Sequence, residues 1–258
     1  MISDKYKIIF IQIPKTGGTT IDNVFSSCKI HIGHEYNNLA GDNIDHAKLS
    51  DLIKWNLITS EKAEKYFKFT FVRNPWDRVL SDYFYLSKIN YIPKLSFKEY
   101  LIELDKIVNK QESIMFSTKD YRAHFRKQTE YLLDCDFDFV GKFENFQSDF
   151  NKICNIIGKS KERLAKKNRT LHRHYSYYYD DESRTLADRI FKEDIQYLGY
   201  KFKKLNSIER KIDFLKYYLF SISFINHWTI ISTFFKLSSR LKNKSPLYAK
   251  FVKYIKSN

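Results

Sequence analysis

One lysine, two adjacent glycines and three threonines stand within six consecutive positions: Lys15, Thr16, Gly17, Gly18, Thr19 and Thr20. The chain holds only 7 glycines in 258 residues, so a pair side by side is a feature to explain. Without a Cβ, such residues let backbone N–H groups approach an anion closely. Lys15 adds a mobile point charge that can follow an anionic group through a displacement. The threonine hydroxyls can donate to phosphate oxygens. Taken alone, the same residues would also suit an ordinary strand-to-helix turn with an exposed lysine.

The elements around this stretch favour the phosphate reading. Residues Lys7–Ile13 are short, apolar and β-branched, as in a buried parallel strand. From Thr19 onward, Ile21, Val24, Phe25 and Cys28 recur at helical spacing. Strand, glycine turn and helix form the usual phosphate-binding geometry, with the positive helix end aimed at the turn. A polar loop over 31–41 and a short helix in "HAKLSDLIKW" follow. A second strand, "YFKFTFVR", places Arg73 at its carboxyl end, the edge where open α/β sheets bind ligands. Pro75 then opens a helix whose stripe is Val79, Leu80, Tyr83 and Phe84. On that helix Arg78 reads as an exposed ion-pair residue, and Trp76 as either an adenine platform or a core residue.

Ser96 and Glu99 make a capping box for a helix in "SFKEYLIELDKIV". "FDFVGKFEN" reads as a third buried strand, "FQSDFNKICNIIG" as a helix closed by Gly158, and "DESRTLADRIFKEDIQYLGY" as one charged helix. Near Asn206 acidic residues become scarce while lysines and aromatics persist. The expected organisation is therefore a main α/β domain over 1–205 and a basic, aromatic-rich helical extension over 206–258. Within that extension 214–235 is apolar, but Lys216, Asn226 and His227 interrupt it. Amphipathic helices, packed on the domain or lying on an anionic membrane face, are expected there rather than a true span.

Lys+Arg outnumber Asp+Glu by 45 to 30, a net charge of +15, which favours anionic partners. Hydrophobic content of 43% excludes a disordered chain. No helix-turn-helix, zinc finger or RNP-type aromatic motif supports a nucleic-acid partner. The nucleotide loop G-x-x-x-x-G-K-[ST] is also absent, because Lys15 precedes both glycines. No apolar strand ends in aspartate to hold magnesium, so no metal is expected. An ATP-dependent kinase of the P-loop type remains the alternative reading, with a non-enzymatic nucleic-acid or anionic-surface binder behind it. Cys28, Cys135 and Cys154 lack metal spacing and are expected as buried reduced thiols. No secretory signal is recognisable, so a cytoplasmic location, peripheral on the inner face of the plasma membrane, is expected.

"IPKTGGTT" followed by "FVRNPWDRVLSDYFY" resembles the paired signatures of sulfotransferases that use 3′-phosphoadenosine 5′-phosphosulfate, closest to their carbohydrate branch. "VGKFENFQSDF" and "LHRHYSYYYDDESRTLADRIFKEDIQYLGYKF" are similar to that branch in order and spacing, so the likeness covers about 7–203. The resemblance implies a three-layer α/β sandwich with a mostly parallel sheet, like P-loop kinases, and a metal-free sulfuryl transfer. It implies that Lys15, Thr16, Gly17, Gly18, Thr19 and Thr20 hold the 5′-phosphosulfate, and that Arg73 and Ser81 hold the 3′-phosphate. It points to His46 as the base, with His34 and Glu35 as alternatives. The acceptor it implies is a carbohydrate, anionic or lipid-linked. Arg122, His124, Arg126 and Lys127 form a basic cluster that could meet such a glycan, though a solvated helix face suits at least half of them. His172, Arg173, His174 and Tyr175 fall in a segment expected to close over the donor, with His172, Arg173 and Tyr175 also suited to sugar contacts.

Overall fold

Every residue of the strand Ile8–Phe10 is buried, because the strand lies inside a sheet with helices on both faces. The computed structural model of the chain describes residues 1–29, 44–115, 122–164 and 172–222. Four strands, β1 Ile2–Ser3, β2 Ile8–Phe10, β3 Phe67–Val72 and β4 Phe139–Lys142, lie in the order β1-β2-β3-β4. β1 runs antiparallel to β2, and the remaining pairs are parallel, with Phe69 level with both Phe10 and Phe139.

Parallel neighbours require long crossovers. Between β2 and β3 these carry α1 Gly18–Val24, α2 Leu49–Lys54 and α3 Ser60–Lys65, with a 3-10 turn at Ile44–His46. Between β3 and β4 they carry α4 Pro75–Lys88, α5 Phe97–Val108, α6 Arg122–Phe125 and α7 Thr129–Leu132. After β4 come α8 Phe146–Ile156, α9 Asp181–Ile190, α10 Lys192–Leu198 and α11 Ser207–Ile222.

Alternation along the strands sends side chains to two cores. Ile8, Phe10, Phe69 and Phe71 pack with Ile21, Phe25 and Phe150. Ile9, Ile11 and Ile13 meet Leu49, Leu52, Ala63 and Tyr131. The result is the expected three-layer α/β arrangement with a mostly parallel sheet. A third cluster joins α4 to α5, α9 and α10 through Leu80, Tyr100, Leu101, Ala187 and Phe191. Burying each such side chain is worth about 1.5–3 kcal/mol.

Three local expectations change. β4 is an edge strand, not a buried one: Val140 is 42% exposed and only Gly141 is buried. The charged segment 181–200 is two helices, broken at Phe191, whose side chain sinks into the core. β1, which caps the other sheet edge, was not anticipated. The Ser96–Glu99 capping box forms with both bonds, and Cys28, Cys135 and Cys154 are all unpaired, Cys154 buried and the other two half-buried.

The chain divides into two compact units, Met1–Thr170 with His174–Lys204, and Leu171–Arg173 with Leu205–Asn258. In the second unit α11 carries Phe214 stacked on Tyr218 at 6.2 Å, and Asp213 accepts from Arg173 Nε at 3.4 Å. No helix among the described residues is long and apolar enough to cross a membrane.

Candidate functional site

The chain leaving β2 turns sharply through Lys15 and Gly17, which have φ of 66° and 96°. Thr16 Oγ1 donates to the Ile13 carbonyl at 2.8 Å and closes this turn from within. Among the described residues, the N–H groups of Gly17, Gly18 and Thr19 have no protein acceptor. N–H groups without a protein partner at such a turn are what an anion would need. Gly17 is sterically required: its φ is positive and a Cβ there would lie 2.6 Å from Phe146 Cζ, whereas a Cβ on Gly18 would meet the flexible Gln12 side chain, with Cδ at 2.2 Å. Gly17→Ala should therefore cost about 1–3 kcal/mol, read as a lower urea midpoint; an unchanged midpoint would refute this account of the turn.

Arg73 links this loop to the end of β3. Its Nη1 donates to the Lys15 carbonyl at 3.0 Å, while Nε and Nη2 hold Asp77 Oδ2, each at 2.8 Å. Its guanidinium lies 4.4 Å above the Phe143 ring. Its backbone is fixed by Gln128, whose side-chain amide donates to the Arg73 carbonyl and accepts from the Arg73 N–H, both at 2.8 Å. Gln128 is held in turn by the buried Asp194, which also takes the Thr129 N–H and hydroxyl. Ser81 lies one turn beyond Asp77 on α4. The residue is 5% exposed, and its hydroxyl makes no hydrogen bond among the described residues, which is unusual for a buried polar group.

Arg78 is not the exposed ion-pair residue expected. It is 2% exposed, with Nε donating to the Pro14 carbonyl at 3.1 Å and Nη2 to the carbonyls of Arg126 at 2.9 Å and His124 at 3.3 Å. A buried cation is tolerated because its donors meet backbone acceptors that would otherwise be unsatisfied.

Lys15 extends its Nζ to 3.8 Å above the Tyr85 ring, and among the described residues no carboxylate lies within ion-pair distance. Burial pulls its ammonium down to about 8; Arg73 and Arg78 add to the fall and Asp82 opposes it. Beneath Tyr85 lies His124, its ring parallel to the tyrosine at 5.8 Å. His124 Nδ1 is 2.5 Å from Asp82 Oδ1, and Tyr100 donates to Asp82 Oδ2 at 3.0 Å. Burial opposes ionisation of Asp82, yet His124, Lys15 and Arg78 together hold its carboxyl below the usual range. His124 is thus buried in a polar network, not part of a solvated helix face.

His46 packs edge-on to His124, ring centres 5.3 Å apart. Its Nδ1 lies 3.0 Å from the Gln12 carbonyl, which accepts only, so the proton sits on Nδ1. Burial pulls this imidazole down to about 3; His124 and Lys15 add to the fall, while the Gln12 bond and Asp82 oppose it.

The loop, Arg73 and His46 are thus gathered at the carboxyl end of the strands, while Ser81 lies on α4 one turn past Asp77. The rest are distributed otherwise. His34, Glu35 and the Arg122 side chain lie outside the described residues. Thr19 is exposed and Thr20 buried. Arg126 is half-buried and gives its carbonyl to Arg78, while Lys127 pairs with Glu193 at 2.7 Å. Tyr175 packs in the core, its hydroxyl accepting from the Lys203 N–H at 2.8 Å. His172 and Arg173 belong to the second unit. Trp76 is a core residue whose Nε1 donates to Asp188 at 2.7 Å. Asp82 escaped the sequence reading, although its register with Val79 and Leu86 sets an acid on an apolar stripe. No group of three His, Cys, Asp or Glu side chains is gathered for a metal ion among the described residues.

The model of the Sulfotransferase family matches residues 1–201. Human (Homo sapiens) carbohydrate sulfotransferase 9 is 27% identical over 233 residues, covering 77% of this chain and 51% of its own, so the chain spans about half the length of that relative. An uncharacterized protein of Archaeoglobus fulgidus is 25% identical over 107 residues, covering 42% of this chain and 80% of its own. The crystal structure of a sulfotransferase from Alicyclobacillus acidocaldarius is 20% identical with a TM-score of 0.35, over 76% of this chain and 87% of that one.

Proposed function

The chain belongs to the sulfotransferase family, and from that premise we propose that it moves a sulfuryl group from 3′-phosphoadenosine 5′-phosphosulfate to a carbohydrate hydroxyl. One observation carries the reading. Arg73 Nη1 holds the Lys15 carbonyl at 3.0 Å, which supports taking the glycine loop and the cation-bearing end of β3 as one anion site. In this proposal the loop N–H groups and Lys15 hold the 5′-phosphosulfate, and Arg73 with the unpartnered Ser81 holds the 3′-phosphate. Lys15 neutralises the phosphate as it leaves, and an imidazole takes the acceptor's proton, His46 being the candidate read from the sequence. Positioning and fixed charge do most of the work in such a displacement, as in phosphoryl transfer.

The likeness to a carbohydrate sulfotransferase supports a glycan acceptor, and the net charge of +15 supports an anionic or lipid-linked one. The proposal includes a cytoplasmic location with peripheral contact at the plasma membrane. Exposed Ile208, Phe214 and Tyr218 beside Arg210 and Lys211 on α11 support that contact.

Calorimetric titration with adenosine 3′,5′-bisphosphate, without magnesium and with ATP as control, tests the donor site. Micromolar binding that Arg73→Ala abolishes is expected. Affinity should fall as pH rises through about 8, where Lys15 loses its proton. Magnesium-dependent ATP binding with none for the bisphosphate would point to a kinase instead.

A further inference from the structure

Asp77, Ser81 and Tyr85 follow one another at four-residue intervals on α4 and so share one helix face. Asp77 Oδ2 takes Arg73 Nε and Nη2. Ser81 comes next, its hydroxyl without a hydrogen bond among the described residues. Tyr85 ends the row with its ring face against the Lys15 ammonium, 3.8 Å from Nζ to the ring centre. The same row thus meets two cations, Arg73 through a carboxylate and Lys15 through an aromatic ring. The two ends of Lys15 are held differently. Its backbone is fixed at φ 66°, and its carbonyl accepts from Arg73. Its four-carbon stem is flexible, and among the described residues no carboxylate pairs with the head.

We propose that Tyr85 is the positioning residue of Lys15: its ring face holds the ammonium beside the glycine loop and in its charged form. This rests on the donor reading given above, in which that ammonium meets the 5′-phosphate. The face of an aromatic ring carries the negative part of its quadrupole and attracts a cation most strongly where water is excluded. A carboxylate in the same place would hold the ammonium but repel an incoming phosphate. A ring carries no net charge, so the lysine keeps its full attraction for the anion. Tyr85 is half-buried, and its own ring is set by parallel stacking on His124 at 5.8 Å. Burial and the guanidinium groups of Arg73 and Arg78 work against the lysine's charge, and Asp82 favours it; the ring adds to the favourable side.

Full-length Tyr85→Phe and Tyr85→Leu separate the ring from the volume. Phenylalanine keeps the face and drops the hydroxyl; leucine keeps apolar bulk and drops the face. Labelling with acetic anhydride across a pH series, read at Lys15 by peptide mass spectrometry, follows the ammonium with no ligand present. The midpoint should lie near about 8 in wild type and Tyr85→Phe. In Tyr85→Leu it should fall to about 7, the loss of one desolvated cation–π contact. The charged and titratable groups facing Lys15 in that titration are Arg73, Arg78, Asp82 and His46, with His124 against Tyr85. Calorimetric binding of adenosine 3′,5′-bisphosphate at pH 6 and pH 8 reads the consequence. At pH 6 both lysines are charged, and Tyr85→Leu should bind within about twofold of wild type. At pH 8 it should bind about fivefold more weakly, the ratio of charged fractions for those two midpoints. Equal weakening at both pH values is a packing defect and overturns the proposal. So does a Tyr85→Leu midpoint at or above that of wild type, or a Tyr85→Phe midpoint as low as that of Tyr85→Leu. A wild-type protein that binds no bisphosphate overturns the donor reading, while the labelling still decides whether the ring holds the lysine.

Discussion

Lys15→Met should slow sulfuryl transfer about a thousandfold and leave the folded protein at least as stable as before. The first effect follows from where charge develops. Cations that neutralise a transferring or leaving group contribute about 10³–10⁵ in rate in phosphoryl transfer, and Lys15 is the side chain of the glycine loop that can do so. The second follows from its surroundings. Its ammonium is partly buried beside Arg73 and Arg78, with the Tyr85 ring against it, and the favourable field of Asp82 does not offset the burial, so its charge opposes folding. Methionine keeps an unbranched stem over Tyr85 and removes the charge. The sign with pH is definite. Below about 8 both folded and unfolded chains carry the proton and the penalty is fully present. Between there and the ordinary lysine range of about 10.4 the unfolded chain binds more protons, so wild-type stability rises with pH. Between pH 7 and pH 10 the urea midpoint should gain more, or lose less, in wild type than in Lys15→Met, which lacks this contribution. A variant that transfers within tenfold of wild type would remove Lys15 from the chemistry.

Arg78→Leu should behave oppositely, losing about 3–5 kcal/mol of stability. Leucine fills part of the volume but leaves the carbonyls of Pro14, His124 and Arg126 without their donor. Buried orphaned acceptors carry most of the cost, as when one partner of a buried charged network is removed. Against a total of about 5–15 kcal/mol, that is a large share. Because Pro14 opens the glycine loop, bisphosphate affinity should fall as well. Arg78→Lys should recover only part of the loss, since one ammonium cannot span carbonyls on two segments. Chemical denaturation decides the matter: a change under about 1 kcal/mol would mean the guanidinium is not a clamp.

Much of the frame was legible because its signals are short-range. A continuous apolar run marked β2, Asn74-Pro75 marked the start of α4, and Ser96 with Glu99 marked α5. The glycine turn after β2 and Arg73 at the end of β3 were legible for the same reason, and the fold joins them through the Lys15 carbonyl. Arg78, Asp82 and His124 were not. What buries Arg78 is a carbonyl 64 positions earlier in the chain and two in the segment 46 and 48 positions later, and no local pattern encodes that. The edge position of β4 was equally hidden, because an apolar run does not say whether a further strand lies beside it. Asp82 is different: an acid in register with Val79 and Leu86 was visible and could have been read as a buried partner waiting for a cation.

The amide of Gln128 extends the sheet by one rung, pairing with both backbone groups of Arg73, and Asp194 holds that rung in place. The order of synthesis gives this a consequence. A growing chain displays its glycine loop early, but the loop's partner arginine is clamped only after Asp194 has left the ribosome and docked. Until then the loop has its charges without their geometry. Contacts spanning more than a hundred residues are slow to form in folding, so this support of Arg73 is completed late. On the proposed function, competence to hold the donor is thereby tied to completion of the fold.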